Sequence, residues 1–84
     1  MTSDVLYAAV CHDIENVKQD DLTVYKLSAL NFCADMFCTK WHTLKYPDRI
    51  IESNINRQHM WKKKEPWRQH MIDVMQYWLD EYRK

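Results

Sequence analysis

Aspartate, cysteine and histidine side chains that could do chemistry together lie at helical spacing near the middle of the chain. Asp35, Cys38 and His42 follow one another at steps of three and four residues, so a helix would project them from one side. Such a group could form a Cys–His pair oriented by a carboxylate, or supply three ligands to a metal ion. A structural metal site usually needs four converging ligands, and the sequence contains neither Cys-x-x-Cys nor His-Glu-x-x-His. We therefore expect a cysteine at the edge of the core beside a solvated histidine, with no metal and no other cofactor.

The same three residue types occur consecutively near the N-terminus, as Cys11, His12 and Asp13. Neighbouring residues point about 100° apart on a helix, so these three side chains cannot converge on one ion. The total of three cysteines is odd and follows no disulfide framework. The first residues also lack the basic and apolar regions of a signal peptide. We therefore expect a cytoplasmic protein with reduced thiols.

The complete absence of glycine excludes several catalytic and nucleotide-binding motifs. Phosphate-binding loops, dinucleotide fingerprints and nucleophile elbows all require glycine for close backbone approach or for positive φ. No Ser/His/Asp set has a recognisable spacing, so we predict that the protein is not an enzyme. Two-residue hairpins also rely on glycine, so helices are favoured over an antiparallel sheet. Asn16, Asn54 and Asn56 are the residues available if a helix ends in a left-handed conformation.

Basic and aromatic residues are concentrated between residues 57 and 70. Cations beside exposed rings are typical of surfaces that contact phosphates and stack on single-stranded bases, and they would equally suit an acidic protein surface. Lysines at the end of a helix also complement its negative C-terminal end, so plain solvation is the third interpretation. The candidate partner-binding residues of this stretch are Arg57, Trp61, Lys62, Lys63, Lys64 and Arg68.

Charge is unevenly distributed along a chain whose formal net charge is zero. Residues 1–35 contain six acidic and two basic residues, whereas residues 36–84 contain ten basic and six acidic ones. The two parts therefore carry net charges of −4 and +4. Two copies could pair head to tail through this asymmetry, or the two parts of one chain could fold back and neutralise each other. The sequence does not choose between them.

The elements that must position these residues are organised around a long central helix, predicted over about residues 22–45. Asp20 and Asp21 precede it, where carboxylates meet free N–H groups, and Tyr46 stands before Pro47, which disfavours the helical conformation there. An apolar stripe at steps of three and four residues runs through Leu27, Leu30, Ala34, Phe37, Trp41 and Leu44.

A second apolar face lies about 140° around the same helix and contains Tyr25, Phe32 and Met36. A helix that is apolar on two faces must be covered on both, either by its own chain or by a second molecule. These three residues are the candidate apolar interface, and a homodimer is one way of covering them.

Three further segments have helical patterns. The first should begin at Thr2 or Ser3 and bury a stripe from Leu6 to Val17. The third should begin with Asp48 as its N-cap, and it should be polar and mostly exposed with little to contribute to a core. It could be broken into two helices near residues 54–56. The last should run from about Pro66 to Tyr82. Its predicted inner stripe consists of Trp67, Met71, Val74, Met75, Trp78 and Tyr82, with Ile72 and Leu79 alongside.

These patterns predict an all-α fold, a compact bundle of three to four helices around the central helix, with residues 1–84 forming a single helical domain. A chain of 84 residues has a thin core, which four Trp and five Tyr residues would enlarge. No uncharged run approaches the roughly 20 residues that a membrane-spanning helix needs.

The function predicted first is a small, non-enzymatic helical module that binds and modulates another protein, one with an acidic surface if the basic stretch makes the contact. Trp, Tyr, Met and Arg are enriched at the centres of protein interfaces. In size and style the chain resembles the short single-domain accessory proteins that bacteriophages make to bind and redirect host proteins. The alternative is a nucleic-acid-binding module that uses residues 57–70, although the zero net charge disfavours it.

Overall fold

Four α-helices make up the computed structural model, which describes residues 2–40, 44–63 and 65–84. They are α1 (Ser3–Glu15), α2 (Thr23–Phe37), α3 (Pro47–His59) and α4 (Pro66–Tyr82). Helix α2 packs against each of the other three, whereas α1 and α3 do not contact each other within the described residues. The predicted all-α bundle around a central helix is confirmed.

Helix α1 begins where the sequence predicted. Thr2 is extended, with φ −82° and ψ 158°, and its carbonyl accepts the N–H of Leu6. Leu6 and Val10 are completely buried against α2. At the other end the carbonyl of His12 accepts both the backbone N–H of Asn16, at 3.2 Å, and its side-chain amide, at 2.8 Å. The φ of Asn16 is −111°, and no described residue has a positive φ, so the helices end without glycine.

Helix α2 begins in a turn that three side-chain hydrogen bonds stabilise. The Asp20 carboxylate accepts the N–H of Leu22 at 2.8 Å. The Thr23 hydroxyl donates to the carbonyl of Lys18 at 2.9 Å and accepts the N–H of Asp20 at 2.7 Å. Asp20 therefore helps to start the helix, as expected. The pKa of its carboxyl is lowered, first by the hydrogen bond from the Leu22 N–H and next by one from the Lys26 ammonium group.

The prediction that the central helix continues to about residue 45 is wrong, because α2 ends at Phe37. Cys38 is extended, with ψ 121°, although its N–H still donates to the carbonyl of Ala34. Residues 38 and 39 are Cys and Thr, types with low helix propensity. Leaving the helix lets the Thr39 hydroxyl donate to Asp4 of α1 at 2.9 Å. Trp41, the next member of the predicted stripe, lies outside the described residues.

Helix α3 differs from its prediction in two ways. Its N-cap is Tyr46 rather than Asp48, and its first residue is Pro47. Proline fits this first position because an N–H there would have no partner within the helix. The helix is continuous through residues 54–56. Ile51 and Ile55 are 0% and 4% exposed, so the expectation that this segment contributes little to the core is also wrong.

Helix α4 has the predicted bounds, but its buried face is shifted towards Ile72 and Leu79, which were predicted to lie alongside the stripe, and it includes Arg68, which was not predicted to be buried. Trp67, Met71, Val74 and Tyr82 are only partly buried. The fully buried positions of this helix are Arg68, Ile72, Met75, Trp78 and Leu79.

All four helices contribute to one hydrophobic cluster. Phe37, a completely buried member of this cluster, stacks with the partly buried ring of Tyr82, and the two ring centroids are 5.9 Å apart. After the last turn of α4, Arg83 binds Asp48 at 3.2 Å and Glu52 at 2.9 Å, which ties the C-terminus to α3. Within the described residues no helix has both the length and the apolar character needed to cross a membrane.

Candidate interaction surface

Arg68 was predicted to contact a partner at the surface, but the structure buries it. Its side chain is 9% exposed, and its guanidinium carbon lies 4.5 Å from the ring centre of Trp67 and 5.0 Å from that of Trp61. One terminal nitrogen donates to the side-chain carbonyl of Gln58. Arg68 is therefore a structural residue, and its charge is not available for a phosphate or a partner carboxylate.

The stack continues from Arg68 to the central helix. The ring of Tyr25 lies 4.7 Å from that of Trp67, and the two planes differ by 12°. Tyr25, Trp67, Arg68 and Trp61 thus form an aromatic–arginine stack from α2 to the segment between α3 and α4. Stacked rings and cation–π contacts fix orientation, so this stack positions Trp61.

Trp61 is the outermost member of the stack and is 55% exposed. Its neighbour Met60 is 82% exposed, and Arg57, Lys62 and Lys63 are exposed as well. We call these five residues the basic–aromatic surface. Four of the six predicted partner-binding residues therefore come together on it, because Arg68 is buried and Lys64 lies outside the described residues.

The positive charge of this surface is only weakly compensated. Lys63 lies 3.6 Å from Glu65, with its own side chain 80% exposed, and a pair of this kind contributes little. Arg57 and Lys62 form no ion pair with another described residue. The two acids of α3, Asp48 and Glu52, are bound by Arg83.

The basic–aromatic surface extends along the outer side of α3. Arg57 and Met60 line a shallow depression with Arg49 and Ser53, and Met60 lines a second one with Trp61. A third depression is lined by Arg49, Ser53 and Arg57, and by three further residues, Phe32, Ile50 and Asn54. Basic and apolar groups therefore alternate over the length of the helix.

The predicted apolar interface of Tyr25, Phe32 and Met36 is covered mainly within the chain. Tyr25 stacks on Trp67, and Phe32 and Met36 pack against the hydrophobic cluster while remaining partly exposed. The sequence left open whether a partner covers this face, and packing of α3 and α4 on α2 covers most of it. Only the edge of Phe32 adjoins a depression that a partner could fill.

Of the predicted group Asp35, Cys38 and His42, the structure describes the first two members. Asp35 is exposed and Cys38 is 9% exposed, while His42 lies outside the described residues. The pKa of Tyr7 is raised by its hydrogen bond with Cys11 and, to a lesser degree, by Cys38. Among the described residues no three His, Cys, Asp or Glu side chains lie where they could hold a metal ion together.

Cys33 is the most deeply buried of the three thiols. Its side chain is completely inaccessible, and burial raises its pKa to about 12 because the thiolate would lose its hydration. A neutral thiol is neither a nucleophile nor a metal ligand at ordinary pH. Cys33 is therefore a core residue.

A groove between α1, α2 and α4 was not predicted from the sequence. It encloses about 460 Å³, within the range of about 300–1,000 Å³ that small-ligand pockets occupy. Leu30 and Trp78, which are 6% and 5% exposed, form its floor, and Tyr77 stands edge-on to Trp78 at 5.0 Å. Asp13 and Asp73 lie on its rim, so we call it the acidic-rimmed groove.

Sequence reasoning could not find this groove because its lining comes from three helices with no shared motif. The basic–aromatic surface, in contrast, is largely one continuous segment and was visible as a cluster of residue types. No protein-family model, no curated protein and no solved structure matches the chain.

Proposed function

We propose that the protein is a non-enzymatic interaction module that binds an acidic surface of a partner protein through the basic–aromatic surface and thereby modulates that partner. The observation that carries this proposal is Trp61, which is 55% exposed and yet held by the buried guanidinium of Arg68. An exposed tryptophan that is already oriented loses little conformational entropy when it is buried at an interface.

The residue types on this surface suit a protein partner. Tryptophan and arginine dominate the binding energy of many protein interfaces, and methionine is enriched at their cores. Arg57 and Lys62 would speed encounter with an acidic surface and select against basic ones. The depressions beside Phe32, Ile50 and Met60 could accept apolar side chains of the partner.

Nucleic-acid binding is the second candidate, and the position of Trp61 is the observation that favours it. Arg68 covers one face of the ring, and the remaining exposed area could stack on a base while Lys62 and Lys63 contact phosphates. The zero net charge and the apolar depressions favour a protein over a nucleic acid.

The resemblance in size and style to phage accessory proteins also supports a role in redirecting a host protein.

Affinity capture from the source cell tests the first candidate, with Trp61→Ala as the decisive variant. We expect one acidic partner to be retained by the unaltered protein, and its affinity to fall about tenfold or more in the variant. Lys62→Glu should weaken binding too, whereas Lys18→Glu, a charge reversal of an exposed residue in the α1–α2 turn, should not. Capture that is insensitive to Trp61→Ala would contradict the proposal.

A salt titration with single-stranded DNA and RNA separates the two candidates. Binding that falls steeply with salt and disappears in Lys62→Glu would favour the nucleic-acid candidate, because phosphate contacts release counterions. Absence of binding at low salt would exclude it.

A further inference from the structure

The acidic-rimmed groove is suited to an occupant that is both apolar and cationic. Its floor of Leu30 and Trp78 is apolar and nearly buried beneath the opening. When an apolar group enters the groove, its own surface and the apolar surface of the groove are both removed from water, which is favourable in proportion to the area removed. The groove therefore has the shape and chemistry to receive a bulky side chain.

The rim of the groove leaves negative charge uncompensated. The carboxylate of Asp13 forms no hydrogen bond or ion pair with another described residue, and Asp73 accepts a bond only from the neutral amide of Gln69, at 2.8 Å. The one cation in the lining, Lys26, lies 3.3 Å from a third carboxylate, that of Asp20, so negative charge remains in excess around the groove. A basic group on the occupant would therefore be favoured, and an acidic one would be repelled.

A segment with both properties is exposed on this same chain. Trp61 and Met60 supply bulky apolar side chains, and Lys62 and Lys63 follow at once. Trp61 stands at the end of α3, whereas the groove is formed by α1, α2 and α4, and α1 does not contact α3 within the described residues. Within one folded molecule Trp61 lies against Arg68 and does not line the groove, so the Trp61 segment can occupy a groove only on a second molecule.

We propose that the protein associates head to tail with a second copy of itself, the Trp61 segment of one molecule occupying the acidic-rimmed groove of the next. Residues 1–35 carry a net charge of −4 and residues 36–84 a net charge of +4, which also favours contact between the N-terminal part of one molecule and the C-terminal part of the next. Such an interface is heterologous, so each molecule keeps one free surface and the assembly grows with concentration unless it closes into a ring.

Self-association of this kind would regulate the function proposed above, and in that one respect it rests on that proposal. A molecule whose Trp61 lies in a neighbouring groove cannot present Trp61 to a partner protein. Partner binding and self-association would then compete, and each would be weakened by the other in the same proportion.

Sedimentation of the purified full chain over a concentration series, at low and high salt, tests the proposal. The expected average mass rises above the monomer value of 10.3 kDa with concentration and falls back when salt screens the charges. Trp61→Glu and Asp13→Lys, each alone, should shift the association midpoint about tenfold or more to higher concentration. A wild-type chain that stays monomeric throughout would overturn the inference.

Mixing the two variants provides the decisive arm. The Trp61→Glu chain keeps an intact groove, and the Asp13→Lys chain keeps an intact Trp61 segment, so an equimolar mixture should form a 1:1 dimer that grows no further. Restoration also shows that both variants are folded. A mixture that stays monomeric, or variants that associate as the wild type does, would exclude the head-to-tail contact.

The groove variant separates this inference from the proposed function. Asp13→Lys should weaken self-association about tenfold or more but keep or strengthen partner capture, because a larger fraction of molecules then presents Trp61. Loss of self-association in a chain that still captures its partner through Trp61 is expected, whereas loss of both in Asp13→Lys would overturn the inference. Failure of the chain to capture any partner would overturn only the proposed function.

Discussion

At the scale of single residues, Arg68 has the least expected environment. A guanidinium is weakly hydrated and planar, so it can be buried between two indole rings at a smaller cost than an ammonium group. Its terminal nitrogen binds Gln58, and its Nε finds no partner among the described residues. The charge is thus retained in the interior by stacking, and it supports the exposed ring of Trp61.

Substitution of Arg68 by lysine tests that role. Lysine keeps the charge but cannot stack as a plane on both rings, so we expect Arg68→Lys to lower the free energy of unfolding by about 1–3 kcal/mol. Denaturant unfolding measures this, and the indole N–H resonance of Trp61 should broaden or shift in the same variant. Arg57→Lys, at an exposed position, is the matched control and should change stability by under about 0.5 kcal/mol. Equal effects of the two substitutions would contradict the structural role of Arg68.

The buried thiol of Cys33 should make stability depend on pH in the alkaline range. Its pKa is about 12 in the folded chain against an ordinary value of 9.0. Below pH 9 the thiol is neutral in both states. As the pH rises from 9 towards 12, only the unfolded chain loses the proton, so the free energy of unfolding should fall, by about 1 kcal/mol at pH 10 from this group.

Comparison with Cys33→Ala separates the contribution of the Cys33 thiol from that of the tyrosines and lysines, which titrate in the same alkaline pH range. The variant is expected to be less stable than the wild type near neutral pH, since it leaves a cavity, but to lose stability less steeply above pH 9. Parallel pH profiles for the two chains would show that the thiol is not protected in the folded state.

At the scale of elements, α3 shows how little apolar surface is needed to dock a helix. Its sequence is dominated by polar and charged residues, yet one narrow stripe of Pro47, Ile51 and Ile55 is buried. The rest of the helix remains available to carry Arg49 and Arg57. The same helix therefore closes one side of the core and presents the surface proposed to bind a partner.

Neighbouring isoleucines in α3 provide a matched test of this docking. Ile51 is 0% exposed and Ile50 is 41% exposed. Ile51→Ala should lower the free energy of unfolding by about 2–4 kcal/mol through lost burial and an unfilled cavity, whereas Ile50→Ala should cost less than about 1 kcal/mol. Thermal or denaturant unfolding of the two variants measures the difference. Similar values would mean that α3 is not docked by this stripe.

The boundary of α2 shows where periodicity alone misleads. The apolar steps continue past Phe37 to Leu44, and they predicted a helix about eight residues longer than the one observed. Periodicity reports which side of a helix would be apolar if the segment were helical. Cys38 and Thr39 have weak helical preference, and their contacts with the core and with Asp4 compensate for leaving the helix.

At the scale of the whole molecule, one shared core should make unfolding cooperative. Leu6 of α1, Phe37 of α2, Ile51 of α3 and Leu79 of α4 all belong to the same cluster. We expect far-ultraviolet circular dichroism, which reports all helices, and tryptophan fluorescence to give coincident denaturation curves. Denaturation curves that differ between the two probes would contradict a single core.

The candidate surface could be predicted from the sequence only in part. Arg57, Trp61, Lys62 and Lys63 are close in the chain, so their proximity in space required no long-range packing. Whether a side chain in that stretch faces outwards depends on the rotation of α4, and this decided that Arg68 lies inside. The acidic-rimmed groove depends on three helices meeting, so no local pattern could indicate it.

The sequence by itself determined the all-α fold class, the order of the helical segments, the approximate limits of the last helix and the presence of a basic, aromatic segment. These follow from local causes, namely the absence of glycine, apolar periodicity and the placement of the two prolines. Tertiary structure alone decided that α2 stops at Phe37, that Arg68 is stacked inside, and that α1, α2 and α4 together form an acidic-rimmed groove. The reason is physical, because each of these depends on contacts between residues far apart in the chain, where packing outweighs local preference.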